Sequence, residues 1–286
     1  MGDLIWLASY PKSGNTWMRI FLTNYWRDAD NPVDINDLDV PWLVGRRSLF
    51  DQYTGLKSSD LTMDEIDALR PEIYRHLAQQ LDKTLVTKVH DAYQYLSARH
   101  PLFPPEITKG ALYLIRNPLD VAVSYAVHCG ASLDESIAWM KTDTSLASSS
   151  HALSLQLRQR MLSWSDHVHS WVEGTEGFPV HVVRYEDMYA HPLATFAEVV
   201  TFIGTALDPA RLEKAIRFSS FQVVRQQEQT KGYVERPPTM DFFFRKGQVG
   251  SWCTQLSQAQ VKQIIADHHE VMQRFGYLTD TGEPVF

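Results

Sequence analysis

The sequence predicts an α/β protein, in which a single domain has a central parallel sheet flanked by helices. Short apolar runs, each long enough for a buried strand and too short for a membrane span, recur along the chain. Segments with apolar residues at helical spacing separate these runs. The predicted strands are Leu4–Ser9, residues 84–90, residues 111–115 and Val180–Arg184.

The length of 286 residues is sufficient for one large α/β domain or two small ones. No internal repeat, low-complexity tract or clear boundary divides the sequence. We therefore expect one domain over residues 1–286, with cap or lid segments near residues 28–80, 130–150 and 230–250. Thr62, with Glu65 three residues later, predicts a helix start, and residues 153–173 predict a long helix.

Charge and cysteine content argue against several classes of protein. The formal net charge of −7 disfavours nucleic acid or an acidic membrane surface as the main partner, since both attract basic proteins. Cys129 and Cys253 form no CxxC pair, so we expect neither a disulfide framework nor a thiolate metal site. No basic-then-apolar leader opens the sequence, and a cytoplasmic location is the expectation.

A tight loop follows the first predicted strand. Pro11 and Gly14 break the strand pattern, and apolar residues at helical spacing begin with Trp17. A strand–turn–helix connection directs backbone N–H groups and the positive end of a helix dipole at a bound anion. Lys12 adds a full positive charge, but it precedes Gly14, unlike the lysine of the triphosphate loop G-x-x-x-x-G-K-[ST]. The short polar side chains beside it are those of Ser13, Asn15 and Thr16.

The second predicted strand ends in Lys88, Val89 and His90. Side chains two residues apart on a strand share a face, so Lys88 and His90 are expected on the same side. Ligands of open parallel sheets bind beyond the carboxyl ends of the strands, and the pKa of histidine suits a general base. The alternative for His90 is a structural or exposed histidine.

Arg116 follows the third predicted strand, and a helix is expected directly after it. Asn117 is a favourable N-cap, and Pro118 suits the first helical position. Ser124 interrupts the apolar residues of this helix. A small polar residue is tolerated in such a helix, but its position after Arg116 indicates a paired anion site instead.

Three motifs in this sequence resemble the cofactor motifs of the cytosolic-type sulfotransferases, in the order found in that family. They are residues 10–17 (YPKSGNTW), 114–125 (LIRNPLDVAVSY) and 243–252 (FFRKGQVGSW). The resemblance implies a P-loop-kinase-like sulfotransferase fold, and the asparagine of the first loop is more similar to bacterial members. It also implies sulfuryl transfer from 3′-phosphoadenosine 5′-phosphosulfate (PAPS) to a hydroxyl or amine of a small-molecule or natural-product acceptor, without a metal.

The resemblance further assigns roles to single residues. It implies that His90 removes the acceptor proton, that Lys12 stabilises the leaving oxygen and that Lys88 supports the transferring group. Ser124 is a catalytic candidate as well as a ligand of the 3′-phosphate. The residues expected to bind the nucleotide are Lys12, Ser13, Gly14, Asn15, Thr16, Trp17, Arg116, Ser124, Tyr185, Ser219, Phe221, Arg245, Lys246 and Gly247.

Two other functions fit the same strand–loop–helix plan. A small-molecule kinase would need a triphosphate loop and a magnesium-binding aspartate at a strand end, and neither is evident. A nucleotide-binding module without catalysis would not need His90. The acceptor itself is not predicted, although an aromatic-lined pocket is expected from Trp42, Phe50, Tyr53, Tyr93 and Tyr95. The family's carboxy-terminal dimer motif is not recognisable, which leaves a homodimer open.

Overall fold

The computed structural model describes residues 3–41, 45–97, 100–146 and 156–285. The strands in this part of the chain are β1 (Leu4–Ser9), β2 (Leu85–Val89), β3 (Tyr95–Ser97), β4 (His100–Pro101), β5 (Thr108–Ile115), β6 (Thr144–Leu146), β7 (Gln159–Leu162) and β8 (Val180–Arg184). The helices are α1 (Asn15–Arg27), α2 (Arg47–Thr54), α3 (Met63–Gln80), α4 (Pro118–Cys129), α5 (Leu133–Lys141), α6 (Trp164–Val172), α7 (Tyr185–Ala190), α8 (Pro192–Phe202), α9 (Pro209–Phe218), α10 (Phe221–Lys231) and α11 (Gln258–Arg274).

The central sheet has the strand order β2-β1-β5-β8. β1 and β2 pair in parallel, from Leu4 opposite Leu85 to Ala8 opposite Val89. Every residue of β1 is buried, as expected for a parallel strand that is covered on both faces. The predicted α/β class with a central parallel sheet is confirmed.

The chain divides into two compact units. Unit 1 comprises Met1–Tyr10, Val40–Tyr113 and Asp143–Val182, and unit 2 comprises Pro11–Asp39, Leu114–Thr142 and Val183–Phe286. The prediction of one domain over residues 1–286 stays a prediction. Among the helices described, none combines the length and the apolar character needed to cross a bilayer.

Each unit has its own packed interior. In unit 1 the buried ring of Trp6 lies against Phe103, with ring centroids 4.8 Å apart. Arg70 is buried in the same unit and contacts Asp91 through two charge-assisted hydrogen bonds of 2.9 and 2.7 Å. In unit 2, Ile20 of α1 belongs to an apolar cluster with four other buried residues, which are Val33, Ile35, Val224 and Tyr233.

Helix starts with a clear cap are confirmed. Thr62 and Glu65 form a capping box at α3, and the Asn117 side chain accepts a hydrogen bond from Leu119 N at α4. The cap or lid segment expected near residues 28–80 contains the helix α2, which Gly55 caps at its C-terminus with φ +68°.

The predicted long helix over residues 153–173 is wrong. Residues 151–155 lie outside the described part, residues 159–162 form β7, and α6 begins only at Trp164. Leu162 has φ +57°, and Ser163 caps α6 by accepting a hydrogen bond from Asp166 N. Together these two features separate the strand from the helix. β7 pairs antiparallel with β6, which lies in the cap or lid segment expected near residues 130–150.

Candidate active site

The loop between β1 and α1 has the conformation that an anion site requires. Lys12 and Gly14 have φ of +70° and +101°, and Gly14 is the N-cap of α1 without a side-chain hydrogen bond. A Cβ at Gly14 would lie 2.8 Å from Cδ2 of Tyr185 and 2.9 Å from Cε of Met188, so only glycine fits. Ser13 is buried, and its Oγ has no hydrogen-bond partner within the described ranges.

The charge of Lys12 is directed at α4 and at the third motif. Its Nζ lies 3.4 Å from Nδ1 of His128 and 4.3 Å from the ring centroid of Phe243. The rings of His128 and Phe243 meet edge to face at 6.1 Å. The ammonium is therefore held beside an imidazole and over an aromatic face, both of which attract a cation.

Arg116 joins the three predicted nucleotide motifs in unit 2. Its Nη1 donates to the carbonyl of Lys12 at 3.2 Å, and its Nη2 donates to the carbonyl of Gln248 at 3.0 Å. The guanidinium lies 4.1 Å from the ring centroid of Tyr185. Its buried Nε has no hydrogen-bond partner among the residues described. The structure thus brings together Lys12, Arg116, Tyr185 and the segment that follows Gly247.

Asp120, in the first turn of α4, is a site residue to which sequence reasoning gave no role in binding. Its buried carboxylate accepts hydrogen bonds from Gly250 N at 2.9 Å, Ser251 Oγ at 3.0 Å and Trp252 N at 3.1 Å. It also lies 3.5 Å from Nη2 of Arg116. Asp120 therefore fixes the end of the third motif beside Arg116, and the spacing of four residues between them was the only local signal.

Two further carboxylates hold the start of the third motif and the segment before it. Glu228, with a fully buried side chain, accepts hydrogen bonds from Phe243 N at 2.6 Å and Phe244 N at 2.9 Å. Glu235 pairs with Nη1 of Arg19 on α1 at 2.8 Å. Residues 232–250 contain no helix or strand, so side-chain contacts such as these hold the backbone in place. The expected lid near residues 230–250 stays a prediction.

The remaining residues predicted to bind the nucleotide have varied surroundings. Gly247 has φ +58°, and a Cβ there would lie 2.3 Å from Cδ2 of Phe221. The Ser219 hydroxyl donates to the carbonyl of Ile216 at 3.1 Å. Trp17 meets Tyr185 edge to face at 5.7 Å. Asn15 and Thr16 open α1, Ser124 is half-buried on α4, and Arg245 and Lys246 are exposed.

His90 follows β2 directly in unit 1. Its Nδ1 lies 2.8 Å from the carbonyl oxygen of Ser9 and 3.2 Å from Ser9 Oγ. A carbonyl oxygen only accepts hydrogen bonds, so Nδ1 carries the proton and Nε2 of the neutral ring has the lone pair. That tautomer is the one a general base acting through Nε2 needs. Lys88 is half-buried within β2.

A second histidine, to which sequence reasoning gave no role in the site, contacts the backbone of His90. The side chain of His167 on α6 is fully buried; its Nε2 lies 3.1 Å from the carbonyl oxygen of His90, and its Nδ1 lies 2.8 Å from the hydroxyl of Tyr113. Burial lowers the pKa of His167 from its ordinary 6.5 to about 4 and raises that of Tyr113 well above its ordinary value. His167 is therefore neutral near pH 7.

The aromatic residues predicted to line an acceptor pocket do not share one environment. Phe50 and Tyr93 are buried, and Tyr93 packs against Phe103 and Trp171 in the core of unit 1. Tyr95 is 42% exposed. Trp42 lies outside the described residues. Phe50 and Tyr93 thus have a sufficient structural role without an acceptor.

The strand–loop–helix site and the parallel sheet define a class of α/β protein that binds a phosphorylated ligand at a helix N-terminus. The family description "Sulfotransferase domain" matches residues 3–276 of this chain. Rat sulfotransferase 2A1 is 25% identical over 282 residues, which cover 96% of this chain and 85% of the relative. Dog sulfotransferase 1A1 is 25% identical over 294 residues, with the same coverage.

Solved structures agree with this match. Mouse sulfotransferase SULT7A1, complexed with PAP, has a TM-score of 0.60 at 20% identity and covers 98% of this chain and 86% of its own. Retinol dehydratase in complex with androsterone and PAP has a TM-score of 0.61 at 17% identity, with coverage of 94% and 80%. The chain belongs to the sulfotransferase family, has the fold of that family and is a sulfotransferase. In the part of the chain with described coordinates, no cluster of three His, Cys, Asp or Glu side chains could hold a metal ion.

Proposed function

We propose that this protein transfers the sulfuryl group of PAPS to a hydroxyl or amine of a small-molecule acceptor, with Lys12 and His90 as its main catalytic residues. The observation that carries the proposal is the arrangement around Arg116, which contacts the Lys12 carbonyl, the Gln248 carbonyl and the Tyr185 ring. Lys12 and Gln248 belong to segments that resemble nucleotide-binding motifs, and Tyr185 is one of the residues expected to bind the nucleotide. PAP in complexes of related sulfotransferases supports PAPS as the donor.

The residues of the loop fit a nucleotide with two anionic ends. Ser13 Oγ and Arg116 Nε are buried polar atoms without a partner in the described part of the chain, and the α1 N-terminus has no side-chain cap. We propose that the loop with Lys12 holds the phosphosulfate end, and that Arg116, Ser124, Arg245 and Lys246 hold the 3′-phosphate. When bound, PAPS would supply the sulfuryl group and a phosphate leaving group.

Lys12 and His90 would have different chemical roles in the reaction. The Lys12 ammonium would stabilise negative charge that develops on the leaving oxygen. His90, with Nδ1–H donated to the Ser9 carbonyl, would take the acceptor proton at Nε2. We propose Lys88 as support for the transferring group and Trp17, Tyr185, Ser219 and Phe221 as the adenine side of the site. Gly247 would lie with Arg245 and Lys246 at the 3′-phosphate.

The acceptor is proposed as a small molecule because retinol dehydratase, a structural relative, was crystallised with androsterone and with retinol. A bacterial source, a natural-product acceptor, a cytoplasmic location and a homodimer stay predictions.

The test of the proposed base is His90→Asn, assayed with PAPS and the hydroxyl surrogate 2-naphthol. We expect turnover to fall by about 10²–10⁴ because no other group replaces the lost base. PAP should still raise the melting temperature as in the parent, and more than ATP does. His269→Asn, on the exposed face of α11, is the matched control. Near-parental turnover of His90→Asn would exclude His90 as the base.

A further inference from the structure

One face of α6 holds the backbone that carries His90. His167 Nε2 donates to the carbonyl of His90 at 3.1 Å, and Trp171 Nε1 donates to the carbonyl of Asp91 at 3.0 Å. Ser170 Oγ accepts from Tyr93 N at 3.0 Å. Positions 167, 170 and 171 are three and four residues apart, so they share one face of the helix. The β1–β2 pairing ends at Ala8 and Val89. The contacts from α6 therefore hold residues 90–93, which the sheet no longer holds.

The proton positions in this part of unit 1 follow from the acceptors. The His90 carbonyl only accepts, so His167 carries its proton on Nε2. Nδ1 of the neutral His167 ring then accepts from the Tyr113 hydroxyl, which keeps its proton because it is buried. The hydrogen-bond directions run from Tyr113 to His167 and from His167 to the backbone of His90. The His90 side chain in turn donates from Nδ1 to Ser9.

We propose that His167 is a positioning residue for the sulfuryl-transfer reaction: through the His90 carbonyl it orients the His90 ring so that Nδ1–H meets Ser9 and Nε2 accepts the proton. This inference rests on the proposed role of His90 as the base. His167 itself does not exchange a proton in the reaction. The Tyr113 hydroxyl, which orients the His167 ring, is the next member of the same arrangement.

The His90 tautomer is a direct measure of this orientation and can be read without turnover. Nitrogen-15 NMR of the histidine rings distinguishes an Nδ1–H from an Nε2–H tautomer, and the signal missing from His90→Asn identifies His90. We expect Nδ1–H for the parent chain and for His167→Gln, whose amide keeps a donor near the position of Nε2. We expect His167→Phe, which keeps the ring contact with Tyr10 but loses the donor, to shift His90 towards the Nε2–H form that prevails in water.

Two variants separate this effect from general damage. Ser170→Ala removes a hydrogen bond from the same helix face to the same segment, and it should leave the His90 tautomer unchanged. The double variant Tyr113→Phe, His167→Phe also removes the hydroxyl that His167→Phe alone would leave unpaired. It replaces His167→Phe in the tautomer measurement if that single variant folds poorly. A parental His90 tautomer in folded His167→Phe, or in the double variant, overturns the inference.

Kinetics then separate this inference from the proposed function. With 2-naphthol, His167→Phe should lower kcat by about tenfold to a hundredfold and change the KM for PAPS by less than about twofold. In a His90→Asn background the same substitution should cause no further loss, because it acts through His90. A full additional loss in that background assigns His167 a merely structural role. Parental turnover of His90→Asn alone contradicts the proposed base, whereas the tautomer measurement still decides the orientation.

Discussion

The ammonium nitrogen of Lys12 lies 3.4 Å from Nδ1 of His128, in the last turn of α4. An ammonium only donates hydrogen bonds, so in this contact Nδ1 of His128 is the acceptor. The two residues are 116 positions apart in the sequence, and the fold of unit 2 alone brings them together. The contact gives Lys12 a defined direction before any ligand is bound.

Lys12→Ala should lower turnover far more than it weakens PAP binding. The ammonium would act on charge that develops at the leaving oxygen, so its loss should reduce kcat by about 10²-fold or more. Steady-state assays with 2-naphthol and calorimetric titration with PAP measure the two quantities. Lys262→Ala, on the exposed side of α11, is the control. Turnover within about twofold of the parent would contradict the assignment of Lys12.

Arg116→Ala should weaken PAP by about tenfold to a hundredfold, because a charge-assisted contact to the 3′-phosphate is lost. The affinity for adenosine 5′-phosphosulfate, which lacks that phosphate, should fall less. Some common loss is expected, since Arg116 also holds the Lys12 and Gln248 carbonyls. Arg116→Lys keeps the charge but cannot reach both carbonyls, so its affinity for PAP should lie between those of the parent and Arg116→Ala. Equal weakening of both nucleotides would make Arg116 a purely structural residue.

Gly247→Ala should destabilise the protein more than Gly55→Ala does. Both glycines have a positive φ, +58° and +68°, so both alanines strain the backbone, by about 1–2 kcal/mol each. A Cβ at Gly247 would also lie 2.3 Å from the Phe221 ring, whereas nothing lies within 4 Å of one at Gly55. Urea unfolding of the two variants measures the difference. Equal midpoints would mean that Phe221 can move aside without cost.

Burial of His167 should make the protein less stable in mild acid. Its pKa is lowered from 6.5 to about 4, so between these values the unfolded state binds a proton that the folded state does not. The contribution of the neutral His167 to the free energy of unfolding is therefore complete above about pH 6.5. It is lost as the pH falls towards about 4, by at most about 1.4 kcal/mol per pH unit. Urea unfolding of the parent and of His167→Gln at several pH values measures this slope. A slope unchanged in His167→Gln would contradict the prediction.

Local signals predicted much of the fold. The apolar runs identified β1, β2, β5 and β8, and the pair Asn117–Pro118 gave the start of α4. The prediction of a helix over residues 153–173 was wrong because it relied on apolar spacing and not on a stronger local signal. Ser163 and Asp166 have the spacing of a helix cap, and the structure uses them as one. Short strands such as β3 and β4 have too few residues to show a period.

The candidate site was predictable where its residues lie in motifs and hidden where they act through the fold. Lys12 and Arg116 come from motifs, Tyr185 comes from the list of residues expected to bind the nucleotide, and the structure brings the three together in unit 2. Asp120 meets its backbone partners 130–132 residues further along the chain, and His167 meets His90 over 77 residues. Contacts at such separations depend on tertiary packing, which residue types and spacing do not encode locally.

The two compact units are built from alternating stretches of one chain. The chain passes from one unit to the other after Tyr10, Asp39, Tyr113, Thr142 and Val182. No single cut can release either unit as a continuous polypeptide. Contacts within each unit join residues far apart in sequence, and a high contact order slows folding. During synthesis unit 1 lacks its last stretch until Val182 has left the ribosome, and by then the first two stretches of unit 2 have already been made.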